Sequence, residues 1–170
     1  MKTTRSINAV FAALAFVLFC CIPGLATAQT ETNRIEGLAQ QADAIVVGKV
    51  SSVRSEWNAD KTKIITKVSL DVDEYVKGQP AAKTMVITHM GGEVDGVGDL
   101  YTNAPHFSAG EDVLVFVKKD SKNNLNVTGG NEGKFSVTKN ETTGERMLQS
   151  NMSLKNFTSM VKTALKQKME

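Results

Sequence analysis

"KIITKVSLDVDEYVKG", residues 63–78, decides the fold. Ile64, Val68, Leu70, Val72 and Val76 share one side of a two-residue period. Lys67, Ser69, Asp71 and Asp73 share the other. Side chains alternate across a strand, so this pattern predicts a long strand with one buried and one wet face. Gly78 and Pro80 end it.

The same signals recur on both sides. "AIVVGKVSSVR" (44–54) is β-branched and reads as a strand, and Gly48 inside it predicts a bend or bulge. "EWNADKT" (56–62) reads as the turn between the two strands. "KTMVITHM" (83–90) is a further strand. "EDVLVFVKK" (111–119) is a continuous apolar run, which predicts a strand buried on both faces. Leu70 and Phe116 are therefore core candidates. "LNVTG" (125–129) and "GKFSVTK" (133–139) read as short strands, with turns at "DSKNN" and "NETTGE". Ile35, Leu38, Ala39 and Ala42 recur at helical spacing, predicting a short helix over roughly 34–42. Near the C-terminus, Ser153 can cap a helix whose stripe is Leu154, Phe157, Met160, Val161, Ala164, Leu165 and Met169. That helix, about 153–168, is expected to lie across one end of the sheet. The fold class is mainly β: a small closed or partly open barrel of five to six strands, a short N-terminal helix and a C-terminal amphipathic helix.

The start of the chain carries an address. Lys2 and Arg5 precede the apolar run "AVFAALAFVLFCCI", which closes on Ala26-Thr27-Ala28. A basic start, a short apolar middle and an A-x-A exit describe a secretory signal peptide over 1–28, with cleavage expected after Ala28. One β-barrel domain over 29–170 would follow, its core spanning 42–138. Cys20 and Cys21 leave with the signal, so the mature chain has no disulfide, no thiolate ligand and no cysteine nucleophile. Lys2 and Arg5 leave too, and twenty basic residues become eighteen against eighteen acidic ones. A neutral chain of mixed sign lacks the basic face that a nucleic-acid or anionic-membrane partner requires. No stable membrane insertion is expected after cleavage. The location expected is secreted or periplasmic.

"HMGGEVDGVGDL", residues 89–100, holds the candidate site. A phosphate loop fails here, because Val97 stands where a lysine must reach the phosphates. Calcium loops need acids at positions 1, 3 and 5 with glycine at 6, and this stretch does not supply them. His89 and His106 have no recognised zinc spacing. Neither a metal nor a cofactor is expected. The stretch reads as a solvated, glycine-flexed crossover running to about Pro105, with His89 ending a strand in phase with Met85 and Ile87. Its acids, Glu93, Asp95 and Asp99, make it locally negative. No G-x-S-x-G is present, and a His106–Ser108 pair would lack an orienting acid and an oxyanion hole, so no catalytic residue is assigned. Trp57, the single tryptophan, lies before the first hairpin turn, where it either folds over the barrel end or anchors a partner.

Three pieces in order, "ADAIVVGKV", "VDEYVKG" and "FSAGEDVLVFV", make the chain similar to the netrin-like module, the OB-type barrel of the tissue inhibitors of metalloproteinases. It resembles more closely a family of small secreted bacterial proteins. They share a tryptophan followed by I-x-T, here Trp57 and Ile65-Thr66, and a "GG…P-x-F-x-x-GE" segment, here Gly91-Gly92, Pro105, Phe107 and Gly110-Glu111. The resemblance covers roughly 42–138 and implies an OB-like barrel and a binding role. It does not carry over inhibition through an N-terminal cysteine, because the first mature residue would be Gln29.

The expectation is a non-enzymatic, secreted or periplasmic binding module. Its partner would be another protein, such as an extracellular protease or an envelope component. The contact surface would be 91–105 with the 55–62 turn, through Trp57, His89, Glu93, Asp95, Asp99 and His106. The alternatives are a small hydrolase or metal-dependent enzyme using His89 and His106, and a structural envelope protein.

Overall fold

The computed structural model describes residues 25–80 and 82–167. Most of the expected signal segment, 1–24, lies outside the described residues, as does Met169 of the C-terminal stripe. The chain divides into two compact units, one ending at Ile35 and one starting at Glu36. The sheet and the second helix belong to the latter.

In chain order the elements are helix α1 (Leu25–Gln41), strands β1 (Ala44–Trp57), β2 (Ile64–Lys77), β3 (Thr84–Met90), β4 (Gly92–Val94), β5 (Val97–Asp99), β6 (Asp112–Lys119) and β7 (Leu125–Val127), a 3-10 turn (Gly130–Gly133), β8 (Lys134–Lys139), β9 (Arg146–Leu148) and helix α2 (Leu154–Gln167). The main sheet runs β1-β2-β3-β7-β6-β8-β9, and β6 also pairs with β1. That extra pairing closes five strands, β1-β2-β3-β7-β6, into a barrel. All its pairings are antiparallel except β3–β7, which is parallel at Ile87 and Leu125. One edge of β6 is shared: its last residues pair with β7 and its first with β8, which continues into β9.

The opening stretch behaves as its period requires. Ile64, Val68, Leu70 and Val76 are buried, while Lys67, Asp71 and Asp73 are exposed. Its partner β1 shifts register between Val47 and Gly48. A Cβ on Gly48 would run into the Asp71 carbonyl oxygen, so the close approach at this irregularity requires glycine. Val46, Val50, Val68, Leu70, Ile87, Val113, Val115, Val117 and Val127 fill the barrel, and Phe107 joins them from a loop.

β6 is buried on both faces, with Val113 through Val117 fully inaccessible. Its odd-numbered valines point into the barrel. By alternation Leu114 and Phe116 point outward. There Phe116 meets Phe157 of α2 edge-on at 6.3 Å, and Phe135 of β8 stands 5.2 Å from Phe157. The C-terminal helix therefore lies on the outer face of the sheet and not across one end, because that face carries the aromatic surface its stripe can cover. The Asn156 amide donates to Ser153 Oγ at 3.3 Å, the expected cap.

Three other expectations change. α1 starts at Leu25, well before residue 34. The stretch "TAQTETN" has no apolar period, but it contains neither glycine nor proline to stop a helix. β1 continues through Trp57, so the turn is shorter than 56–62. Asn58 organises it by accepting the Thr62 and Lys63 amides on its side-chain oxygen. Finally, 91–105 is not a plain crossover: β4 and β5 form a hairpin. Its turn, Asp95-Gly96, has φ of 52° and 80°, the positive values a two-residue hairpin turn needs.

Candidate functional site

The β4–β5 hairpin is pinned to the ends of β1 and β2. The Gly91 amide donates to Ile64 O at 2.9 Å, and the Ile64 amide donates to Asp99 Oδ2 at 3.3 Å. Thr66 Oγ1 donates to Gly91 O at 2.6 Å and lies 2.9 Å from Ser55 Oγ. Gly92, at φ 134°, sits directly over those two hydroxyls, and a Cβ there would collide with both. A pair of hydroxyls, that of Thr66 buried and that of Ser55 half-buried, and a bare glycine thus seat the hairpin on the barrel rim.

Beyond the hairpin the chain returns over the barrel mouth. Phe107 is buried and plugs it, with His89 stacked on its ring at 6.2 Å and 28°. His89 Nδ1 lies 2.9 Å from Met90 O. A carbonyl can only accept, so Nδ1 is the donor in this contact. Between β3 and the returning segment is a cleft of about 310 Å³, whose wall includes His89, Met90, Asp99, Leu100, Tyr101, Pro105, His106 and Phe107. A neighbouring cleft of about 330 Å³ shares His89, Met90, Tyr101, Ala104 and Pro105 and extends to Asn126 and Val127.

The fold thus brings His89, Asp99 and His106 onto one wall. Glu93 and Asp95 stand exposed on the hairpin and do not line either cleft. Trp57, 38% exposed, pairs with Ile64, one strand from the hairpin base. The segment 104–108 is not a strand, so His106 and Ser108 are not presented on a common strand face, and the Ser108 amide instead donates to Glu111 Oε2 at 3.2 Å. Among the described residues no three His, Cys, Asp or Glu side chains stand close enough to share a metal ion.

Sequence reasoning passed over Leu100 and Tyr101. Leu100 is 96% exposed, and Tyr101 is exposed beside it. An apolar pair inside a polar loop, outside any strand period, is the signal that marks them. It also passed over a polar cluster below the plug. Lys134 Nζ and Ser136 Oγ each donate to Glu111 Oε1 at 2.5 Å, and Lys134 stands 5.5 Å from the centre of the Phe107 ring. Burial pushes the Glu111 carboxyl up, but the bonds from Lys134, Ser136 and the Ser108 amide, with the Lys134 charge, hold it below the usual carboxylate range. Lys134 Nζ also donates to Ser136 Oγ at 3.0 Å. This cluster braces the mouth.

No helix among the described residues is long and apolar enough to cross a membrane. No protein-family model matches the chain, and no curated protein is significantly similar to it.

Proposed function

We propose that the protein is a secreted or periplasmic, non-enzymatic binding module that engages another protein through the mouth of an OB-like barrel. One observation carries the reading. Of the five large apolar side chains exposed among the described residues, Trp57, Val97, Leu100 and Tyr101 gather at this end, and only Val86 lies elsewhere. Large apolar and aromatic side chains held in water on a braced rim are what a protein interface uses as anchors. The closed ring with one parallel seam supports the OB-type reading, in which loops at one end of the barrel bind. Resemblance to the netrin-like module favours an extracellular protease as the partner class. The basic, apolar, A-x-A start of the chain is the ground for export.

A capture experiment tests the reading. Exported protein, whose intact mass reports a start at Gln29, is cross-linked in the fluid of its own compartment beside the Leu100→Asp variant. The expected result is a partner cross-linked through the hairpin end of the wild type and lost from the variant, at an unchanged melting temperature. Equal recovery by both proteins would place binding elsewhere.

A further inference from the structure

Asp99 is the carboxylate in the first cleft, whose wall also holds Ser55, Thr66, His89 and His106 beside apolar and aromatic side chains. Asp99 is half-buried. Its Oδ2 accepts the Ile64 amide, while among the described residues nothing donates to Oδ1. A half-buried carboxylate with one oxygen unpartnered can accept a further donor or a cation from a ligand. No ion pair to Asp99 forms among the described residues, although His89 and His106 share its cleft. Residues 84–117 contain Glu93, Asp95, Asp99, Glu111 and Asp112 but no lysine or arginine. The nearby Lys134 is committed to Glu111.

The remaining wall narrows the choice of cation. Met90 and Pro105 offer aliphatic surface, and Tyr101 and Phe107 offer rings. The volume, about 310 Å³, is at the low end of the range for ligand pockets. It suits one long side chain and not a folded segment. A guanidinium is planar, forks onto a carboxylate and stacks on rings, and its stem packs along apolar surface. An ammonium is compact and strongly hydrated, so it fits this wall less well.

We propose that this cleft receives an arginine side chain presented by the partner, with Asp99 binding the guanidinium and Tyr101 covering it. The proposal rests on the protein-binding reading and gives its specificity: exposed Leu100 and Trp57 supply contact area, and Asp99 selects the charge.

Isotope-labelled protein titrated with Nα-acetyl-argininamide, Nα-acetyl-lysinamide and Nα-acetyl-norleucinamide, at matched ionic strength, tests it by NMR. The arginine compound should shift amides within 89–92 and 99–107 and bind at least about tenfold more tightly than the norleucine compound, or about 1.4 kcal/mol. The lysine compound should bind less tightly than the arginine one. Asp99→Asn should abolish the preference while leaving other resonances in place, because asparagine keeps an oxygen for the Ile64 amide. Equal binding of norleucine and arginine, no shifts at all, or a preference that survives Asp99→Asn overturns the proposal. Lysine binding as tightly as arginine overturns the guanidinium assignment. The capture experiment is independent. A partner lost with Leu100→Asp but no arginine preference sinks only the receptor, and the converse sinks only the surface.

Discussion

Glu111 shows how much one side chain can hold. It gathers the Ser108 amide, Ser136 Oγ and Lys134 Nζ, and so joins the 108–111 turn to β8 under the Phe107 plug. The folded carboxyl titrates below its usual range. Its stabilising contribution is therefore complete above the unfolded value and fades as pH falls through the lowered folded one. Glu111→Gln should cost about 1.5–3 kcal/mol at pH 7, the scale of hydrogen bonds to a charged group. The gap between the variant and the wild type should close on acidification below the ordinary carboxylate range. Chemical denaturation across that pH series checks both claims, and a gap that is constant with pH contradicts them.

At the scale of elements, β6 and α2 depend on each other. Phe116 on the outer face of β6 packs on the helix, and the helix has its apolar stripe to cover. The Phe116–Phe135–Phe157 cluster is where they meet. Phe157→Ala should cost about 3–5 kcal/mol, the range for removing a buried aromatic ring. It should also raise hydrogen exchange across 154–167 while β1 and β2 stay protected, since the barrel interior is a separate layer. Loss below about 1 kcal/mol, far under that range, would mean that the helix is not docked through this ring.

At the scale of the whole sheet, the barrel is held by a ring of unequal seams. β1 and β6 pair over Ala44 to Lys49, whereas β3 and β7 share only the Ile87–Leu125 pair. The Gly91 bond to Ile64 sets the alternation along β3, so the Val86 and Met90 amides point away from β2 and toward the weak seam. Local opening follows the least-bonded regions. Native-state exchange should therefore be fastest in the ring at Val86 and Met90, and slower by at least about tenfold at Ile45–Gly48, where both edges are bonded. Uniform protection around the ring would show that it opens only as a whole. The weak seam adjoins the second cleft, so a partner seated there should protect Met90 first.

Sequence alone determined the main strands and the helix stripes of this protein, because period and turn chemistry are local. The alternation in 64–76 and the five-residue apolar run at 113–117 specify which faces are buried. Gly48 marks the bulge from inside its own strand. The Asp95-Gly96 turn was equally legible, flanked by Val94 and Val97, yet the surrounding glycines obscured it. Tertiary structure alone decided the rest. No local pattern says that Phe107 from a loop plugs the barrel, that Lys134 and Ser136 reach back to Glu111, or that His89, Asp99 and His106 line one cleft. Each of these depends on closure of the ring, which juxtaposes residues far apart in the chain through strand pairings that the period of a single strand cannot encode.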